Sequence, residues 1–102
     1  RKVVVLGDML ELGDYAPKAH RDIGCLLAKD GVEMLVTVGP LARMIAEGAK
    51  ESGFPETAIM SFTDSSEAAH ALVGQFSEGD IVLIKGSRGM RMDEIVKVLL
   101  ND

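Results

Sequence analysis

The sequence predicts an α/β fold, a doubly wound, mostly parallel sheet with helices on both faces. Four short apolar runs carry that prediction, because they are continuous rather than alternating, as strands covered on both faces must be. Four segments with helical spacing alternate with them, and connections of only a few residues join the two kinds of element. The order is therefore βαβαβαβα.

The first strand is expected at residues 3–6 (VVVL). A helix follows, with an apolar stripe of Ala19, Ile23, Leu26 and Leu27 and with Pro17 in a first turn that tolerates a missing N–H. The second strand is expected at residues 34–38, and Pro40 then leads into a helix with the stripe Leu41, Ile45 and Ala49. The third is expected at residues 58–62, where Asp64 with Glu67 three positions on resembles a capping box for the next helix. That helix carries Ala69, Leu72, Val73 and Phe76. The last strand is expected at residues 81–84, ahead of a helix with Met92, Ile95, Val96, Leu99 and Leu100. Gly31, Gly53 and Gly79 fall just after the first three helices, where a residue at positive φ ends a helix at little cost. No linker, repeat or low-complexity segment interrupts the chain, which reads as one domain over residues 1–102.

Composition excludes several function classes. The 102 residues are 47% hydrophobic and 26% charged, as in ordinary globular domains, and the apolar runs are too short to cross a bilayer. The net charge of −5 argues against a general nucleic-acid binder, which needs a basic face, so neither nucleic acid nor membrane is expected as a partner. Cys25 is the only cysteine and cannot form an internal bridge, which favours a reducing compartment. The chain runs from Arg1-Lys2 straight into the first strand with no initiator Met, as an excised piece would, so the working protein is expected to be longer.

Right-handed crossovers place all four strand carboxyl ends along one edge, where such sheets bind ligands. Two of the loops there are unusual. Residues 7–13 (GDMLELG) lie between a strand and a helix, but the glycines are six apart, without the dinucleotide fingerprint. Asp8 and Glu11 can hold a ribose hydroxyl or a metal-bound water, or can serve as partners of a helix dipole. Met9, Leu10 and Leu12 need a surface to bury against, in this domain or a neighbour. Residues 85–91 (KGSRGMR) concentrate three of the 11 basic residues of an acidic chain. Lys85 and Arg88 can meet a carboxylate or phosphate, Ser87 offers a hydroxyl, and Gly86 and Gly89 allow close backbone approach to a ligand. The spacing fits neither a Walker loop nor a nucleophile elbow, and the alternative to an anion site is a flexible basic turn. His20 can face the strand edge or simply pack, His70 reads as a surface residue, and Cys25 reads as a small residue on the packed side of its helix. Met9, Met90 and Met92 stand apart from the other methionines, in loops rather than in the core. No metal-ligand cluster and no nucleophile beside a base can be assembled.

GDMLELG at residues 7–13, His20 in the next helix, TVG at residues 37–39 and KGSRGMRMDE at residues 85–94 together resemble the C-terminal domain of the bacterial Mur ligases. The resemblance runs end to end. It implies a Rossmann-like domain from a three-domain cytoplasmic enzyme of peptidoglycan synthesis, an ATP-dependent, ADP-forming ligase that joins D-Ala-D-Ala to a UDP-N-acetylmuramoyl tripeptide. ATP and Mg2+ are then held mainly by a central domain, the UDP-sugar by an N-terminal one, and this chain alone is inactive and holds no cofactor. Partners implied are the dipeptide, the UDP-muramoyl tripeptide, ATP and the enzyme's own other two domains. Carried over by residue, Lys85, Ser87 and Arg88 resemble the contact to the incoming dipeptide, and Asp8, Met9 and Glu11 the loop facing the nucleotide. His20 matches a family position one step removed from the ligand, and no catalytic or metal-binding residue falls in this chain. Two other readings stay open: a stand-alone anion- or nucleotide-binding regulatory module, and the same domain of a related ligase.

Overall fold

The computed structural model describes residues 1–100. Strands β1 (Lys2–Gly7), β2 (Met34–Val38), β3 (Ile59–Phe62) and β4 (Ile81–Lys85) alternate with helices α1 (Ala16–Leu27), α2 (Arg43–Glu51), α3 (Ser65–Leu72) and α4 (Asp93–Leu100). Every expected strand and helix is present. Short 3-10 turns at Leu10–Tyr15, Glu56–Ala58 and Arg88–Met90 add local structure that hydrophobic periodicity does not register.

The sheet is all-parallel, in the order β3-β2-β1-β4. From β1 to β3 the chain steps in one direction, with α1 and α2 on one face. It then crosses back through α3 on the other face and lays β4 beside β1, with Leu6 opposite Lys85. The order thus reverses between β1 and β4, whose carboxyl ends at Gly7 and Lys85 flank the switch point where such sheets open a crevice.

Side chains alternate along each strand and so feed two cores. Val3 and Val5 of β1 join Val36, Val38, Leu72 and Ile95 under α3 and α4, while Leu6 packs with Leu35, Ile23 and Ile45 under α1 and α2. Fully buried residues such as Leu35, Ile45 and Leu72 each contribute about 2 kcal/mol of hydrophobic stabilisation. No helix among the described residues is long and apolar enough to cross a membrane.

Coverage on both faces holds for β1 and β2 but fails for β4. Val82 and Ile84 pack against the α3/α4 core, whereas Ile81 and Leu83 on the opposite face are 69% and 53% exposed. The topology explains the difference: α1 and α2 connect β1 to β2 and β2 to β3 on one face, and α3 and α4 lie on the other, so no described helix stands over edge strand β4 on the α1/α2 side. A methyl group on Gly24 would overlap the Ile45 carbonyl oxygen, and one on Gly48 would overlap that of Arg21, so the two helices touch backbone to backbone. Cys25 Sγ joins this close seam at 3.5 Å from the Gly48 carbonyl oxygen.

Some expected positions shift. Leu26 points outward at 61% exposure rather than into the α1 stripe. Helix α3 ends at Leu72, so Val73 is exposed, Phe76 reaches the core from the following loop, and Gly74 (φ 75°) takes the helix-ending place expected of Gly79. Val96 and Leu100 face away from the core, whereas Val98 packs into it, and Met92 lies in the turn just before α4, as a loop residue, yet is buried in that core. The capping box forms with a one-residue offset: Asp64 accepts from the Glu67 N–H at 2.8 Å, and the Glu67 carboxylate accepts from the N–H of Thr63.

Gly24→Ala tests the helix seam. Overpacking at backbone contact is expected to lower unfolding free energy by about 2 kcal/mol even though alanine favours helix, whereas Asp22→Ala on the exposed face is expected to stay within about 0.5 kcal/mol. Urea denaturation followed by circular dichroism checks both.

Candidate functional site

The site is built where the loops after β1 and β4 meet. The loop after β1 begins with Asp8, which is buried, and its Oδ1 accepts the Ala42 N–H at 2.6 Å. Ala42 precedes α2 and has no side-chain cap from its own neighbourhood, so Asp8 caps that helix from a distant part of the chain. Gly39 makes room: it sits at φ 108°, and any Cβ there would collide with the Asp8 carboxyl group. Asp8 therefore faces inward, and its backbone carbonyl accepts the Ser87 N–H at 3.0 Å, tying in the loop after β4.

The next amides are held in turn. The Met9 N–H donates to His20 Nε2 at 3.0 Å, and His20 Nδ1 lies 2.6 Å from the Ala16 carbonyl oxygen. Because Nε2 accepts, the ring proton is on Nδ1, where it donates to Ala16. The Leu10 N–H donates to Ser87 Oγ at 2.8 Å, and the Ser87 hydroxyl donates to Glu11 Oε2. Ser87 is thus both acceptor and donor between the two loops. This bond, with help from a backbone amide, holds the Glu11 carboxyl below the usual carboxylate range.

The three cations of the second loop separate. Arg91 adopts a left-handed backbone (φ 53°) and turns to Glu94 of α4, 3.1 Å away. Lys85 and Arg88 are exposed and make no ion pair among the described residues. Gly86 serves packing: a Cβ there would lie 2.9 Å from Met92 Cγ and 3.2 Å from Gly7 Cα, so the two strand ends meet as glycine on glycine. Gly89 likewise makes room for Leu10, whose Cδ1 would stand 3.2 Å from an added Cβ. A crevice of about 400 Å³ opens beside these loops, lined by apolar residues including Leu6, Met9, Ile23 and Leu83 and by the polar Glu11, Lys85 and Ser87.

The structure thus brings together Met9, Glu11, Lys85 and Ser87, with Arg88 in the same loop. Asp8 and His20 support them from the interior. His70 is a surface residue, bonded to the Ser66 carbonyl oxygen at 2.8 Å. The amides of Ala42 and Leu10, which complete the site, are invisible to residue-type reasoning; the only sequence signal for the first was the Gly39-Pro40 pair at a strand end. No group of His, Cys, Asp and Glu among the described residues could hold a metal ion.

An all-parallel sheet whose strand order reverses between β1 and β4, with helices on both faces, defines a Rossmann-like α/β domain. Residues 1–88 match the Mur ligase family in its glutamate ligase domain, and the chain belongs to that family. It is 39% identical over 100 residues to the UDP-N-acetylmuramoyl-tripeptide--D-alanyl-D-alanine ligase of Bacillus subtilis, a match covering 98% of this chain and 22% of that protein. A crystal structure of MurF from Acinetobacter baumannii superposes with a TM-score of 0.81 at 32% identity, covering 99% of this chain and 22% of that one. The MurF ligase of Thermotoga maritima, solved in complex with ADP, shares the fold with a TM-score of 0.73 at 24% identity, over 99% of this chain and 22% of its own. The chain spans about a fifth of the length of the relatives it matches.

The Ser87–Glu11 bond is expected to weaken with acid. A carboxyl held below its ordinary value adds stability above the usual carboxylate range and loses it as pH falls through the lowered value. The Leu10 and Glu11 amide resonances are therefore expected to titrate together, and Ser87→Ala to move the Glu11 titration up towards its ordinary position in a carbon-detected NMR titration.

Proposed function

We propose that this chain is the C-terminal, substrate-positioning domain of a three-domain, ATP-dependent ligase that adds D-Ala-D-Ala to a UDP-N-acetylmuramoyl tripeptide in peptidoglycan synthesis. The observation that carries the reading is the junction at Ser87: one hydroxyl joins the two family-like loops at the switch point, beside two cations without ion pairs among the described residues. Lys85 and Arg88 neutralise the carboxylate of the incoming dipeptide, Arg88 through its paired N–H donors, and Ser87 orders the loop that presents them. The loop of Asp8, Met9 and Glu11 faces the nucleotide. Asp8 fixes its base, and Met9 and the half-exposed Leu10 are buried when the domains close. His20 stands behind that loop.

The described residues do not fit a resident nucleotide–metal site, since they include neither a phosphate-cradling Walker loop nor a metal-ligand cluster. On the family resemblance, we assign ATP and Mg2+ mainly to the central domain, where ATP supplies the phosphoryl group that activates the tripeptide carboxylate. The work of this chain is positional: it binds and orients the dipeptide amine, and its closure excludes water from the activated carboxyl group. The bare face of β4, with Ile81 and Leu83, supports the view that further domains pack around this one. A cytoplasmic location follows from the same reading.

In the full-length enzyme, Lys85→Ala and Arg88→Ala are each expected to raise the dipeptide KM about tenfold or more, the worth of one charge-assisted contact, and to leave the ATP KM within about twofold. Steady-state kinetics with each substrate varied checks this; unchanged KM and kcat for the dipeptide in both variants would overturn the role. The 102-residue chain alone is expected to show no ATP hydrolysis in a phosphate-release assay.

A further inference from the structure

We infer that His20 is a positioning residue for the Ser87 loop, acting through two consecutive backbone amides. The inference rests on the reading of that loop as the substrate loop and assigns a task to a residue that the function otherwise leaves idle. His20 is fully buried on α1 with both ring nitrogens bonded, as burial of a polar ring demands, and one of the two partners lies outside its own helix. Its Nδ1–H is anchored to the Ala16 carbonyl oxygen one helical turn back, so the ring cannot rotate without losing that bond. Nε2 is thereby presented as a fixed acceptor, and the N–H it receives belongs to Met9, outside the helix.

The consequence lies one residue further on. The Met9 N–H donates to the buried His20, and the next amide, that of Leu10, donates to Ser87 Oγ in the loop after β4. The two amides form a strap: the peptide unit joining Asp8 to Met9 is held at both ends, its N–H by His20 and its carbonyl oxygen by the Ser87 N–H, so that only the φ and ψ of Met9 separate this anchored unit from the Leu10 amide. The Leu10 amide occupies one lone pair of Ser87, which leaves the hydroxyl proton for Glu11. The orientation of the Ser87 hydroxyl thus depends on an acceptor buried in α1. Second-layer bonds of this kind hold ligand-contacting groups in place elsewhere in proteins.

Two substitutions separate this role from mere core filling. His20→Gln keeps an acceptor near the Nε2 position, whereas His20→Asn keeps only a donor near Nδ1. In the 102-residue chain, hydrogen exchange at the Met9 and Leu10 amides is expected to speed up about tenfold in His20→Asn and to stay within about threefold of wild type in His20→Gln, with the Val5 and Val36 amides unchanged in both. Retained protection at Met9 and Leu10 in His20→Asn overturns the inference. Should that variant fail to fold, a long-range proton–nitrogen spectrum of the wild type decides: a proton on Nδ1 supports the strap, and a proton on Nε2 overturns it. In the full-length enzyme, His20→Asn is expected to raise the dipeptide KM about fivefold with the ATP KM unchanged, and His20→Gln to restore it. If the exchange results hold while the dipeptide KM does not move, the strap stands and the substrate-loop reading fails.

Discussion

The bond from the Ala42 amide to the buried Asp8 carboxyl group is the constraint on which the carboxyl edge of this sheet depends. A carboxyl group taken out of water costs several kcal/mol unless its oxygens find donors, and here the donor is an amide at the uncapped start of α2. The same residue accepts the Ser87 N–H on its backbone carbonyl. Asp8 therefore joins the loop after β1 to the loops after β2 and β4, and everything that faces the crevice hangs from that junction.

Around it, glycines set distances. Gly7 and Gly86 let the ends of β1 and β4 meet over Met92, and Gly39 admits the Asp8 side chain. On the sheet face, Gly24 and Gly48 bring α1 and α2 into backbone contact. Close approach is the common theme, since in each case the missing Cβ is volume taken by another group. Glycines usually read as turn or ligand residues thus serve packing here, including Gly86, which the sequence suggests as a place for a ligand to approach.

The fold was legible because strands and helices are announced by local periodicity. Continuous runs such as residues 34–38 and stripes such as Ile95 with Leu99 need no distant partner to be recognised. Errors arise where burial depends on what lies across the sheet: Leu26 and Val96 have the spacing of core residues but meet no covering element. The site was legible in part. Ser87, Lys85 and Arg88 stood out as polar and cationic residues in an acidic chain, whereas the inward turn of Asp8 left no local trace.

By itself the sequence determined the order of the elements, the edge at which chemistry gathers and the family resemblance carried by residues 7–13 and 85–94. These depend on short stretches of chain, whose spacing and residue types are read directly. Only the tertiary structure decided that Ser87 bridges to Leu10 and Glu11, that His20 accepts the Met9 amide, and that Arg91 leaves the cation pair for Glu94. The physical reason is distance along the chain for the first two: the Met9 and Leu10 bonds join backbone groups, identical in every residue, to side chains 11 and 77 positions away, and the Ser87–Glu11 bond joins side chains 76 positions apart, so no local pattern of residue types encodes them. For Arg91 it is the conformation at the start of α4: the residue takes a left-handed backbone and meets Glu94 three positions further on.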